Sequence, residues 1–194
     1  MITNSPMIVR ECSSGFFRID ICDEMLAHRE VECVGEINAE SVYSLTRQLR
    51  HLQREDPKAE ITMFINSPGG EVSSGMALYD VMRGLSCPVR TVCLGTAASM
   101  AAVLFAAGAR REILPHGAVM IHDPLIAGGV GGSALQVDSI SRRLLRTREN
   151  TCRTLADCTG KTLEEIYEKT AADTWFTARE AVDFGLADAI IDRI

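Results

Sequence analysis

From residue 38 onward, apolar residues recur either three or four positions apart or in short unbroken runs. Spacings of three, four and three are typical of a helix with one buried face, and they occur at Val42, Leu45, Leu49 and Leu52. Asn38 is a suitable N-cap for this helix, which should end before Asp56. The run Ile61–Ile65 is mostly apolar and bounded by turn residues, which predicts a buried strand.

The same alternation of strand and helix continues along the chain. Further strands are predicted at Glu30–Gly35, from Val89, at Glu112–Leu114 and at Ala118–Ile121, and the chain closes with the apolar residues Ala189–Ile191. Further helices are predicted with Val72, Met76 and Tyr79 on an inner face, in the alanine-rich segment after Ser99, from about Ser133 to Asp157, and twice after Gly160. This order of elements favours an α/β fold with a largely parallel sheet.

Three segments are predicted to lie outside this regular pattern. Residues 1–30 are expected to be irregular, with a hairpin or arm that turns at Ser13–Gly15. Asn66–Gly70 contains Pro and two Gly and is predicted to form a turn leading into a helix. Gly128–Gly132 holds four glycines in five residues and is expected to be a flexible or tightly bent connection.

Composition narrows the classes of partner. The formal net charge of −6 argues against nucleic acid as the main partner, because phosphate binding needs a basic surface. The most apolar stretch, Val92–Gly108, is shorter than the roughly 20 residues of a membrane helix and is built mainly from small residues. We therefore expect it to be buried core, and we expect no membrane partner.

Cysteine usage and the first residues bear on the compartment. The seven cysteines form no C-x-x-C pair, and most lie in apolar or strand-like segments. They are therefore predicted to be buried thiols in a reducing compartment, neither disulfides nor zinc ligands. Residues 1–6 have neither a basic start nor an apolar segment, so no targeting signal is predicted and a cytoplasmic location is expected.

Ser99 lies at a predicted junction of strand and helix. Such a junction exposes the hydroxyl, and the N–H groups at the start of a helix have no partners within it, so they can stabilise an oxyanion. Ala97 and Ala101 leave room around the hydroxyl, although the motif G-x-S-x-G of a nucleophile elbow is absent. An ordinary small-residue helix packed against a sheet explains the same segment equally well.

A nucleophilic serine needs a base, and four histidines are available. His28 and His51 lie among charged residues and are expected on the surface. His116 lies in a turn and is expected to be structural. His122 ends the strand Ala118–Ile121, and groups at the carboxyl ends of parallel strands converge on the ligand cleft, so it is the best candidate base.

The acid that would orient the base is less determined. Asp123 is adjacent to His122 but should point to the other side of an extended chain. Asp138 is expected on the solvated side of the long helix. Asp173 lies among apolar residues, where a partly buried carboxylate needs a partner such as histidine. An N-terminal helix cap explains Asp173 as well.

Three segments together resemble the signature segments of ClpP, the family of proteolytic subunits of ATP-dependent Clp proteases. They are Ile65–Gly70 (INSPGG), Gly95–Ala101 (GTAASMA) and Met120–Pro124 (MIHDP). The resemblance runs over nearly the whole chain, in order and at similar spacings. It implies that Ser99 is the nucleophile, His122 the general base and Asp173 the acid, with the oxyanion bound by the N–H groups of Gly70 and Met100.

The resemblance also implies a fold, substrates and partners. The fold would be a ClpP/crotonase-like α/β spiral of β-α units with a protruding strand–helix handle. Residues 1–194 would be one peptidase domain, with an axial N-terminal arm (1–25) and the handle (123–159). The substrate would be an unfolded polypeptide or peptide, bound by Gly69, Gly70, Glu71, Val72, Leu125 and Ile126. No metal or cofactor is implied.

The family assembles as a heptameric ring, usually stacked as a tetradecamer, and works with a Clp-type ATPase that would dock near Phe64. Several positions depart from its pattern. The loop after Gly108 is shorter, the segment after Pro124 is longer and glycine-rich, and Ala172 replaces an arginine before the acid. At the docking surface, Thr62 and Gly84 replace larger residues. We therefore expect weaker ring pairing, or pairing with a second ClpP-type subunit.

The leading hypothesis is a serine endopeptidase that cleaves unfolded polypeptides through an acyl-enzyme. One alternative is a weakly active or structural ClpP-like subunit of a mixed ring, suggested by the altered handle. Another is an acyl-CoA hydratase or hydrolase on a crotonase-type fold, although such enzymes normally use backbone donors and carboxylates without a Ser–His pair.

Overall fold

The computed structural model describes residues 6–194. Its strands are β1 (Met7–Cys12), β2 (Gly15–Asp20), β3 (Glu30–Ile37), β4 (Ile61–Gly70), β5 (Val89–Ala98), β6 (Arg110–Ile113), β7 (Ala118–Ile121), β8 (Thr174–Thr177) and β9 (Ala189–Ile190). Its helices are α1 (Ile21–Ala27), α2 (Ala39–Glu55), α3 (Val72–Gly84), α4 (Met100–Ala106), α5 (Ala134–Thr159), α6 (Leu163–Thr170) and α7 (Ala178–Phe184).

Polar caps fix where the two longest helices begin and end. Asn38 accepts hydrogen bonds from the N–H groups of Glu40 and Ser41, so α2 begins at the predicted residue. Ser133 and Gln136 form the equivalent capping box of α5, and Gly160 ends that helix in the left-handed conformation. Both helices were predicted within two residues of these bounds.

A seven-stranded, mostly parallel sheet forms the centre of the molecule. Its strands run in the order β3-β4-β5-β6-β9, and β7 pairs with both β5 and β8. Only the pairing of β7 with β8 is antiparallel among the described strands of this sheet. The predicted α/β fold with a largely parallel sheet is therefore confirmed.

Strand β5 divides between two neighbours along one edge. Its first half, Arg90–Cys93, pairs with β6, and its last residues, Thr96–Ala98, pair with β7. All seven residues of α4, which follows β5, are buried, and this helix contacts β4, β5, α3 and α5. The stretch Val92–Gly108 is thus buried core, as predicted. In the described part of the chain, no helix is long and apolar enough to cross a membrane.

The prediction that Asn66–Gly70 forms a turn is wrong, because β4 continues to Gly70. The register of β4 against β5 shifts between Ile65 and Ser67, and side chains supply hydrogen bonds there. Asn66 Oδ1 accepts from the N–H of Thr96 at 3.1 Å. Ser67 Oγ donates to the carbonyl of Gly35 at 2.6 Å and accepts from the N–H of Gly69 at 3.1 Å.

The N-terminal part is more regular than expected. Strands β1 and β2 form the predicted antiparallel hairpin, with Met7 opposite Asp20, but the sequence analysis missed α1. Asp20 caps α1 by accepting from the N–H of Cys22. Of the predicted arm 1–25, residues 1–5 lie outside the described residues. Strand β6 was predicted two residues too late, because charged Arg110 and Arg111 begin it.

We predict that Ser67→Ala lowers the free energy of unfolding by about 1–3 kcal/mol. Ser67 is 1% exposed, so its removal leaves the Gly35 carbonyl and the Gly69 N–H without this partner in a buried place. Chemical denaturation should detect the loss. Ser86→Ala is the matched control, since that exposed hydroxyl makes one 3.2 Å bond to the carbonyl of Pro57. Equal losses in both variants would contradict the assignment.

Candidate active site

Strand register brings the predicted site residues together. Ala98 pairs with Met120 in parallel, so Ser99 and His122 both follow their strands at the same edge of the sheet. Ile121 pairs with Thr174 in an antiparallel ladder, which places His122 opposite Asp173. Residues far apart in the sequence therefore meet because β5 and β7 end at the place where β8 begins.

The side chains of Ser99, His122 and Asp173 form a continuous chain of contacts. His122 Nε2 lies 2.8 Å from Ser99 Oγ, and His122 Nδ1 lies 3.1 Å from an oxygen of Asp173. With the imidazole proton on Nδ1, His122 donates to the carboxylate and accepts from the serine hydroxyl. This arrangement is that of a nucleophile, a base and an orienting acid.

The backbone of Ser99 is strained. Its φ of 55° and ψ of −120° lie outside the common regions for a residue with a side chain, at a typical cost of about 1–3 kcal/mol. A hydrogen bond from its N–H to the carbonyl of Met120, 2.8 Å long, holds it against β7. The sharp turn from β5 into α4 is therefore real, although the motif G-x-S-x-G is absent.

Glycines of β4 pack directly against this turn. A Cβ atom at Gly69 would lie 2.7 Å from Ser99 Cβ and 3.0 Å from the amide nitrogen of Met100. A Cβ atom at Gly70 would lie 2.2 Å from the carbonyl oxygen of Ile37. Both glycines have positive φ, so a side chain here is excluded by space and by conformation. Met100 begins α4, where an N–H has no acceptor within the helix.

Asp173 differs from its expected surroundings. It precedes β8, and Thr177 caps the following helix α7, so the alternative of a helix cap is wrong. The expectation of a partly buried carboxylate is also wrong for the single chain, because the Asp173 side chain is 66% exposed. The His122 side chain is only 16% exposed. Asp173 lies in a loop before a short strand, so its side chain stays in contact with solvent although its neighbours in the sequence are apolar.

The other candidate bases and acids lie elsewhere. His28 and His51 are exposed and pair with Glu24 and Glu55, as expected of surface residues. Asp138 is exposed and pairs with Arg142 on α5. Asp123 accepts a 2.5 Å hydrogen bond from Arg148 Nε.

A narrow cleft opens beside Ser99 and His122. Its lining residues are Val72, Met100, Val103, Ile121, Pro124, Thr151, Cys152, Leu155 and Thr170. The wall formed by α5 and α6 was missed by the sequence analysis. The spacing of Thr151, Cys152 and Leu155 places them on one helix face, but nothing in the sequence indicates which neighbour that face meets.

The remaining residues predicted to bind substrate or a partner differ in exposure. Val72 lines it, and Glu71 is exposed at the start of α3. Hydrogen bonds from Ser74 and Ser73 lower the pKa of the Glu71 carboxyl. Leu125 and Ile126 are exposed after Pro124. Phe64, the residue expected to dock a partner, is only 6% exposed, so little of it is available in the single chain.

The segment predicted to be a strand–helix handle (123–159) contains helix α5 and no strand. Between β7 and α5, residues 122–133 form no strand, and Gly128, Gly129 and Gly132 have positive φ. Cβ atoms at Gly128 and Gly129 would meet open space, so these two glycines are not required by packing. The glycine-rich segment therefore has the bent conformation that four glycines in five residues predict.

Five of the cysteines are buried or half-buried, but Cys12 and Cys22 are exposed, which corrects the expectation for those two. Burial raises the pKa of Cys33 and of Cys93 to about 11, so both thiols are protonated and unreactive at neutral pH. Burial also raises the pKa of Cys152 in the cleft wall. Among residues 6–194, no three His, Cys, Asp or Glu side chains are grouped as metal ligands.

The geometry of the site, with Ser99, His122 and Asp173 in contact at one edge of an α/β sheet, can be compared with known families. A family model described as Clp protease matches residues 13–194. The chain belongs to the Clp protease family. The resemblance found in the sequence is thereby confirmed, and so is the ClpP/crotonase-like fold class. Membership of this family makes the protein a ClpP-type peptidase, a hydrolase of protein degradation, and supports a peptidase over an acyl-CoA hydratase.

Proposed function

We propose that this Clp protease family member is a serine endopeptidase that hydrolyses peptide bonds of unfolded polypeptides through an acyl-enzyme. The observation that carries the proposal is the 2.8 Å contact of Ser99 Oγ with His122 Nε2. On the other side of the same ring, His122 Nδ1 lies 3.1 Å from Asp173. A serine without a base this close is a poor nucleophile at neutral pH.

In the first half of the reaction, His122 Nε2 takes the hydroxyl proton as Ser99 Oγ attacks the carbonyl carbon of the scissile bond. The C–N bond then breaks, and the imidazolium gives the proton to the leaving amine. In the second half, His122 takes a proton from water, and the hydroxide attacks the ester of Ser99. The proton returns to Ser99 Oγ as the carboxylic acid product leaves, so the enzyme is regenerated.

The tetrahedral intermediates carry a negative charge on oxygen, and we assign the N–H groups of Met100 and Gly70 to it. The free donor at the start of α4 and the closeness of Gly69 to Ser99 support this assignment. Glycine at 69 and 70 lets the substrate backbone approach the strand. Gly69, Gly70, Glu71, Val72, Leu125 and Ile126 are proposed to bind an extended chain beside the cleft.

We further propose that residues 1–194 form one peptidase domain, with an N-terminal arm (1–25) and a handle (123–159), that assembles as a heptameric ring. A Clp-type ATPase would deliver the unfolded chain. Substrate side chains would enter the cleft between Val72 and the α5 wall. Enclosure of the site inside the ring would keep a cytoplasmic protease of this kind from cleaving other extended chains.

Ser99→Ala tests the proposed nucleophile. This variant should keep its fold and assembly but lose peptidase activity by several powers of ten, as triads without their nucleophile do. It should also lose labelling by a fluorophosphonate, which reacts with activated serines. Ser86→Ala, which removes an exposed hydroxyl between α3 and β5, is the control for loss of a serine hydroxyl. Retained cleavage and labelling in Ser99→Ala would refute the proposal.

Asp173→Asn tests the proposed acid. An amide at this position keeps the shape but favours the wrong imidazole tautomer, so kcat should fall about 10⁴-fold. Asp138→Asn, on the exposed side of α5, should leave kcat unchanged. Asp123→Asn should cost far less than Asp173→Asn, because Asp123 contacts Arg148. A loss at Asp123 as large as that at Asp173 would contradict the assignment.

The glycine-rich segment leads to an expectation about assembly. Ordering a glycine in a strand costs about 0.5–1 kcal/mol more than ordering an alanine, and each ring repeats that cost in every subunit. We expect single rings that pair weakly, with low activity alone, and stronger pairing with an inhibitor or a second ClpP-type subunit. Analytical ultracentrifugation over a dilution series measures this. A double ring that persists at nanomolar concentration, fully active alone, would contradict it.

A further inference from the structure

Three side chains from three segments form a stack behind the site. Arg148 of α5 donates from Nε to Asp123, which directly follows His122, at 2.5 Å. The guanidinium of Arg148 also lies over the ring of Tyr167 on α6, with 4.1 Å between Arg148 Cζ and the ring centroid. The side chains of Asp123 and Arg148 are both about one third exposed. The stack therefore joins the end of β7 to both helices of the cleft wall.

Each member of the stack lies next to a part of the site. On α5, Thr151 and Cys152 follow Arg148 by three and four residues, so they share its helix face and line the cleft. On α6, Thr170 follows Tyr167 by three residues and also lines the cleft. The carbonyl of Thr170 accepts a 2.7 Å hydrogen bond from the N–H of Asp123.

Arg148 is the ion-pair partner of the Asp123 carboxylate. Its oxygen Oδ1 is buried and has no hydrogen-bond partner among the described residues. The ion pair through Oδ2 is therefore the main compensation for a half-buried carboxylate. Without Arg148, we expect Asp123 to turn toward water. Its backbone would move with it, and the backbone of Asp123 is covalently continuous with that of His122.

We propose that Asp123 and Arg148 are positioning residues for the reaction, which hold His122 at hydrogen-bonding distance from both Ser99 and Asp173. The inference rests on the proposed serine mechanism and adds residues to it that touch neither substrate nor reacting atoms. Arg148 acts through Asp123 on the imidazole, and Tyr167 fixes the plane of the guanidinium. The segment from Thr170 to Asp173 is held by the same stack.

Helix α5 offers a matched control. One turn beyond Arg148, the exposed Arg153 pairs with Glu149 at 2.7 Å, within the same helix. Arg153→Met removes an arginine and an ion pair of α5 without touching the segment that carries His122. Arg148→Met removes the tie to Asp123. A difference between these two variants therefore reports on the positioning of His122 and not on the stability of α5.

The experiment measures kcat and KM for a short fluorogenic peptide, and the rate of fluorophosphonate labelling, in the full-length protein. Arg148→Met should lower kcat and the labelling rate together by about tenfold to a hundredfold, as expected for a displaced catalytic group. KM should change less than about threefold. Arg148→Lys should recover part of the loss. The double variant Asp123→Asn, Arg148→Met should lose no more than Arg148→Met alone.

Equal losses in Arg148→Met and Arg153→Met would overturn the inference, and so would a change in KM alone. Losses that multiply in the double variant would also overturn it. If Arg148→Met does not fold, the Asp123→Asn variant decides: kcat at the level of the Arg153→Met control contradicts the inference. Ser99→Ala in the same series separates the two proposals, since labelling of that variant refutes the serine mechanism whatever happens at position 148.

Discussion

The register of the strands around β5 is the constraint on which the whole site depends. Ser67 pairs with Ala97, Ala98 with Met120, and Ile121 with Thr174. These pairings place the residues next to the strand ends, Ser99 after β5, His122 after β7 and Asp173 before β8, at one edge of the sheet. A slip of one residue in any of them would turn a side chain to the opposite face, and the contact of Ser99 with His122 would be lost.

The same edge is where the ladder of β4 is irregular. Side chains of Asn66 and Ser67 supply hydrogen bonds that a regular ladder would have supplied through the backbone. This allows Gly69 to approach Ser99 closely while the backbone groups of Gly35, Gly69 and Thr96 keep hydrogen-bond partners. Strain at Ser99 is tolerated because β4, β7 and the fully buried α4 surround it.

Much of this could be predicted from local sequence. The caps of α2 and α5 and the apolar face of α2 are local features of the sequence, so these helices can be predicted without knowledge of tertiary contacts. Asn66–Gly70 was mispredicted because Pro and Gly usually mark turns, and the side-chain bonds that keep β4 extended involve Gly35 and Thr96, far along the chain.

In the candidate site, too, the features that depend on contacts between distant parts of the chain were the hardest to predict. Ser99 and His122 could be found from their places after predicted strands, since that argument is local. Asp173 needed the family resemblance, because its place opposite His122 depends on an antiparallel pairing over 51 residues. The cleft wall of α5 was missed for a similar reason: a helix face is readable from spacing, but its neighbour is set by packing.

The exposure of Asp173 has a consequence for the energetics of the imidazolium. Two unit charges 4 Å apart attract by about 1 kcal/mol in bulk water and by about 4 kcal/mol at the effective dielectric of a protein surface. A carboxylate that is 66% exposed lies toward the aqueous end of that range. In the proposed mechanism, the attraction between the His122 imidazolium and Asp173 therefore depends on the medium that borders residue 173. A surface that excludes water there would strengthen this attraction without moving Ser99, His122 or Asp173.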